Sequence, residues 1–220
     1  FSLIFVFAAS IVSAAEVTDL YQAQAPVASQ SEEDRQRLAP ELLKQVVVKV
    51  VGDRRAVEQA DISALVTDAD RYVDQYYYQQ IPNPDSDVAE QQLALTLEFN
   101  AEGINNALQR IGLPVWDKIR PETLFWVAIE YAGKQQLIGE GDEDSLLFHI
   151  EQAAKKRGIP LLLPLMDLED QTQLTFNDVA TGNNTAVKQA SERYGSSVIV
   201  SARLRGNEES VEISWQALLG

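Results

Sequence analysis

Apolar residues recur every four positions through the first half of the chain, at Leu38, Leu42, Val46 and Val50, with Leu43 and Val47 widening the stripe. This spacing predicts one buried face of a helix. Ser31, with Asp34 three residues on and Glu32 and Glu33 between them, supplies its start, because a hydroxyl and carboxylates answer the unpaired N–H groups of a first turn. Gly52 supplies the stop. Pro40 lies inside the pattern, where it predicts a kink or a restart. Residues 17–27, VTDLYQAQAPV, read as a short strand before this helix, ending at Pro26. A second helix is predicted from Asp61 to about Gln79, with Ile62, Leu65, Val66, Ala69, Val73 and Tyr76 on one side. The segment IPNPDSD (81–87) reads as a loop. The period then changes to two over Gln91–Phe99: Leu93, Leu95, Leu97 and Phe99 share a face, as in a half-buried strand. Asn100 caps a helix to Ile111, which Gly112 ends. The first unit is therefore β-α-α-β-α, within residues 16–113.

The prolines of LPVWDKIRP (113–121) mark the boundary to a second unit, 114–220. Thr123–Tyr131 is apolar at successive positions, as a strand covered on both faces would be. Ser145 opens a helix to Arg157, which Gly158 ends. Pro160–Met166 is a second short buried strand, interrupted by Pro164. A helix over Thr185–Tyr194 stops at Gly195. Ser197–Leu204 and Ser210–Leu219 form a hairpin around Gly206-Asn207. The order β-α-β-α-β-β implies a mixed sheet. The expected class is α/β (α+β), in two small sandwich-like units, and the second unit reads as truncated at its end.

The opening FSLIFVFAASIVSAA carries no charge. Its apolar run has the length of a signal-peptide core and is short for a bilayer span. Small residues at Ser13, Ala14 and Ala15 favour cleavage after Ala15, with Ala14 the next choice, leaving residues 1–15 as the expected signal peptide. An uncleaved anchor and a buried element are the other readings. The chain carries a formal net charge of −15 and no cysteine. A lipid anchor on cysteine, disulfides and thiolate metal sites are thereby excluded. The acidic excess argues against nucleic acid, whose phosphates need a basic footprint. No later segment is long and apolar enough to cross a membrane. Together these features lead to the expectation of an exported, soluble, periplasmic protein.

Candidate chemistry is sparse. The single histidine, His149, borders a helical apolar stripe, which suits a structural residue better than a metal ligand. GEGDEDS (139–145) lacks the spacing of a calcium loop and reads as a turn with a charged helix start. Tyr76, Tyr77 and Tyr78 offer rings with polar tips, as a sugar or peptide platform would, or divide between core and surface. There is no G-x-S-x-G, G-x-G-x-x-G or phosphate-cradling loop. Catalytic residues, cofactor-binding residues and metal ligands are therefore not assigned, and no cofactor is expected. Asp167 and Asp170 follow the strand over 160–166, and ligands or Mg²⁺ tend to sit at the carboxyl ends of strands in open α/β sheets. With Arg193 and Tyr194 they form the candidate ligand or partner surface.

Several motifs carry a resemblance. Leu20–Val27 followed by Ser31–Arg35, Gly112–Trp116, Arg120-Pro121, Arg157–Pro160, Leu163–Asp167 and Ala190–Gly195 resemble an uncharacterised proteobacterial family of exported proteins. The resemblance implies an address and a fold, and no activity. The helix ending in Arg193-Tyr194-Gly195, with the hairpin after it, is similar in architecture to small α/β domains of envelope assembly factors. One such domain is the amino-terminal domain of the translocation protein that partners a β-propeller. Fold alone does not fix function. The leading expectation is a non-enzymatic periplasmic module that binds another envelope protein. The alternative is a small-ligand or cation binder, or an enzyme, using Asp167 and Asp170.

Overall fold

The computed structural model describes residues 14–83, 91–142, 145–207 and 210–219, with the side chains of Ser145 and Leu146 left undescribed. The leader expected over residues 1–15 therefore lies outside the described residues as far as position 13, and Glu143 and Asp144 of the acidic turn lie outside them too. The chain divides into two compact units. One comprises Val17–Lys118 with Lys155–Gly158, and the other takes in the residues up to Glu16, Ile119–Ala154 and Ile159 onward. The mixed helix-and-sheet class expected from the sequence is what the chain adopts.

The first described strand, Ala14–Glu16 (β1), belongs to the second unit. The first unit then opens with Gln22–Pro26 (β2) and the long helix Glu32–Val51 (α1). The predicted caps of α1 are in place. Ser31 Oγ accepts from Asp34 N at 3.1 Å, and Gly52 adopts φ 75° while its N–H donates to Val48 O. Pro40 neither ends nor restarts the helix. Lys49, on the same helix, is buried; its ammonium donates to the carbonyls of Asp19 and Gln22 at 3.1 and 2.8 Å.

Beyond α1 the structure corrects the sequence reading. A short helix not predicted from the sequence, Arg54–Gln59 (α2), follows α1; where one helix is predicted over 61–79, the chain forms Ser63–Thr67 (α3), a 3-10 turn at Ala69–Tyr72, and the strand Val73–Pro82 (β3). The three tyrosines lie on β3. Val73, Tyr76–Tyr78 and Ile81 are β-branched or aromatic residues that suit a pleated surface, and pairing with Gln91–Phe99 (β4) outweighs the weak helical spacing. The sheet order is β2-β4-β3, antiparallel throughout. Asn100 caps Ala101–Arg110 (α4) by accepting from Gly103 N. Leu95, Leu97 and Phe99 meet Leu42, Leu43, Val46, Val47, Ile104 and Leu108 in one core.

In the second unit β1 pairs with Ile119–Pro121 (β5), and Thr123–Tyr131 (β6) is the central strand. An additional strand, Lys134–Ile138 (β7), turns back on it through Ala132-Gly133, both at positive φ. The helix Ser145–Arg157 (α5) lies where predicted. Only Leu161–Leu162 (β8) of the run Pro160–Met166 is strand. The short helices Leu168–Gln173 (α6) and Phe176–Thr181 (α7) follow, then Asn184–Ser191 (α8) with a 3-10 turn to Tyr194. The predicted hairpin is Val198–Gly206 (β9) and Val211–Leu219 (β10). The sheet runs β10-β9-β6-β7, with β8 beside β6; β6 is parallel to β8 and β9, and the other pairs are antiparallel. The expected mixed sheet is thus present. Strand β6 is buried on both faces: Leu124, Trp126 and Ala128 meet Val179, Val187 and Ala190, while Val127 and Ile129 meet Ile138, Leu147 and Leu204.

Candidate functional site

The four residues singled out after β8 and at the end of α8 meet in one cluster. Asp167 is the N-cap of α6, accepting from Glu169 N and Asp170 N at 3.1 and 3.0 Å. The 3-10 turn after α8 brings Arg193 across to it. The guanidinium grips Asp167 with two parallel bonds, Nη1 to Oδ1 at 2.7 Å and Nη2 to Oδ2 at 2.8 Å. Nη1 also reaches Asp170 Oδ1 at 3.1 Å and stands 3.6 Å from Glu169 Oε2. Asp170 is buried, with 1% of its surface exposed, and its other oxygen accepts from the Tyr194 hydroxyl and from Met166 N. The same hydroxyl accepts from Leu165 N at 2.9 Å.

Every carboxylate oxygen of Asp167 and Asp170 therefore has a donor from the protein. The bonds bridge the segment 165–170 to the end of α8 like a clasp. Its foot is fixed in the core, where Trp126 donates to Ser191 Oγ at 2.8 Å and stacks edge-on against Tyr194 at 6.1 Å between ring centroids. Gly139 completes the fit: a Cβ there would stand 2.9 Å from Met166 Cβ and 3.0 Å from Pro164 O. Met166 itself holds a positive φ of 53°, a conformation that side chains other than glycine adopt at a cost.

The electrostatics follow the geometry. The Arg193 hydrogen bonds, then the backbone N–H of Asp170, hold the Asp167 carboxyl well below its ordinary range. Arg193 is raised above its ordinary value, first by its bond to Asp167. Burial, then the bond to Asp170, pushes the Tyr194 phenol up to about 12, so it stays a hydrogen-bond donor at neutral pH.

A family model matches part of the chain. Residues 14–117 match a domain of unknown function, DUF8605. That span takes in Val17–Asp117 of the first unit and the motifs Leu20–Val27, Ser31–Arg35 and Gly112–Trp116; Lys155–Gly158 of that unit, Arg120-Pro121 and the later motifs lie outside it. Neither a curated protein nor a solved structure shows significant similarity to the chain. The DUF8605 match thus leaves the clasp, which is built wholly within the second unit, outside its span.

The remaining sequence candidates do not join this cluster. His149 is exposed on α5, edge-on to Phe148. Asp142 Oδ2 accepts from Gly139 N at 2.8 Å, a local turn contact. Tyr76 and Tyr78 are edge-to-face with Arg35 over the Tyr76 ring, and Tyr77 lies on the opposite face of β3. Among the described residues, no group of three or more His, Cys, Asp or Glu side chains could hold a metal ion, and no helix is long and apolar enough to cross a membrane. Sequence reasoning missed Leu165 and Leu168, both exposed beside the clasp. Leu165 falls within the buried strand expected over 160–166, which ends at Leu162, and Leu168 lies outside any predicted element; the break at Pro164 is the available signal.

Proposed function

We propose that this chain is an exported, periplasmic, non-enzymatic module that binds another protein of the cell envelope, and that residues 165–170 form part of its contact surface. One observation carries this reading: the segment is locked by its clasp, yet presents Leu168 with 81% of its surface in water, beside the exposed Leu165. A backbone fixed before binding loses little entropy on docking, so an apolar side chain held on it is a good anchor for a partner. The uncharged leader and the acidic remainder of the chain support the address. A cation or small ligand at Asp167 and Asp170 would have to displace Arg193 or Tyr194, whose hydrogen bonds occupy the carboxylates, so the partner reading fits the geometry better.

Crosslinking in cells of the native host tests the proposal. The wild-type chain is expected in the periplasmic fraction, joined to a discrete partner. Leu168→Asp should abolish that adduct while leaving the thermal melt of the purified protein unchanged. A chain retained in the cytosol rejects the address, and an adduct indifferent to Leu168→Asp rejects the surface.

A further inference from the structure

Strand β10 ends the sheet path of the second unit and pairs, among the described residues, with β9 alone. Every second residue of such an edge turns its N–H and C=O away from the sheet, a template for another strand. Edges of this kind are commonly blunted by lysine, proline or a bulge. The nine residues VEISWQALL contain neither residue, and their register with β9 runs without a shift; a lysine reaches the strand only at its last residue, where Lys188 Nζ donates to Leu219 O at 3.0 Å.

One face of β10 is apolar and in water. Val211, Ile213, Trp215 and Leu219 are all exposed, Trp215 at 69% and Leu219 at 72%. The stripe continues onto β9, where Val198, Val200 and Ala202 stand opposite Leu219, Ala217 and Trp215 and are only partly buried. The apolar core on the helix α5 side of this sheet is formed over β6, β7 and the end of β9, and it includes no residue of β10.

We propose that β10 pairs antiparallel with β10 of a second copy of this chain, about a two-fold axis at Trp215. The strand's own pattern argues for this occupant. With the axis at Trp215, the central residue of 211–219, Val211 faces Leu219 of the second copy, Ile213 faces Ala217, and Trp215 faces its own equivalent. All the exposed apolar positions then meet across the axis on one face, as an isologous interface requires. The only charge on the strand, Glu212, faces Leu218. The two Glu212 carboxylates end up six residues apart along the strands, roughly 20 Å at about 3.3 Å per residue, beyond the screening length of about 10 Å at roughly 0.1 M salt. No like charges meet.

Area sets the strength. A large apolar patch on a monomer covers roughly 300–600 Å², so two such faces bury about 600–1,200 Å² in total, the low end for a specific interface. The dimer is therefore weak and concentration-dependent. Two chains of net charge −15 repel at long range, so added salt strengthens it.

Sedimentation across the micromolar to millimolar range should show a monomer–dimer equilibrium that shifts toward dimer as salt rises. Trp215→Lys should weaken association at least roughly tenfold and leave the melt unchanged, because the side chain it replaces lies in water. Register is read by disulfide trapping, which the natural absence of cysteine makes clean. Trp215→Cys sits opposite itself, within bridging distance, and should oxidise to a covalent dimer. Ile213→Cys should trap poorly alone and efficiently when combined with Ala217→Cys. A monomer at every concentration, a dimer unaffected by Trp215→Lys, or equal trapping at positions 213 and 215 would each overturn the proposal. The envelope-partner reading rests on Leu168 and stands or falls separately.

Discussion

Asp167 and Arg193 show how one ion pair ties stability to pH. The folded protein holds the Asp167 carboxyl below its ordinary value of 3.8, with the Arg193 bonds as the largest cause. A carboxyl whose pKa is lower folded than unfolded contributes its full stability above the unfolded value and loses it as pH falls below that value. The wild-type protein should therefore weaken as pH drops beneath about 4. In Arg193→Met the descent over the same acid range should be shallower. Its level near neutral pH will be lower, because Asp170 is left buried without its cationic partner. Urea midpoints measured from acid to neutral pH check this, and parallel curves for the two proteins would contradict it.

Helix ends and strand edges decide most of the local architecture. Helix α1 keeps its course through Pro40 because its apolar stripe packs on β2 and β4, and packing outweighs the missing N–H. Its C-terminus depends on Gly52, whose positive φ suits glycine and whose missing side chain leaves room for Trp116: a Cβ there would stand 2.6 Å from the indole ring. Gly52→Ala therefore strains the backbone and strikes the ring together. It should cost about 1–3 kcal/mol of stability by denaturant titration. Strand β1 bears at the same scale on the expected leader. Ala14 and Ala15 pair with Pro121 and Arg120, so cleavage after Ala15 would leave only Glu16 of that strand opposite Ile119.

Each of the two units encloses its own hydrophobic core, one around α1 and β4, the other on both faces of β6. A core of its own is the physical requirement for independent folding. A chain of residues 17–118 should accordingly give a cooperative calorimetric transition with van't Hoff and measured enthalpies in agreement. A broad, non-cooperative melt would show that this unit needs the remainder of the chain.

Much of this molecule was legible in its sequence. The caps at Ser31, Gly52 and Asn100 are local chemistry, decided by residues within a turn of one another, and they hold in the structure. The strands β4, β6, β9 and β10 announced themselves by a period of two or by unbroken apolar runs. The residues 73–82 did not, because Val73 and Tyr76 fit a helical stripe as well as a pleat, and only pairing with β4 broke the tie. Asp167, Asp170, Arg193 and Tyr194 could be named individually, yet their union rests on bonds spanning 23 to 26 residues, which no local pattern encodes. The alternation in β10 likewise shows two faces without showing that the apolar one stands in water. What near neighbours decide, through hydrogen bonding and periodicity, was determined by the sequence alone; tertiary structure decided which distant groups meet and which apolar faces are left uncovered.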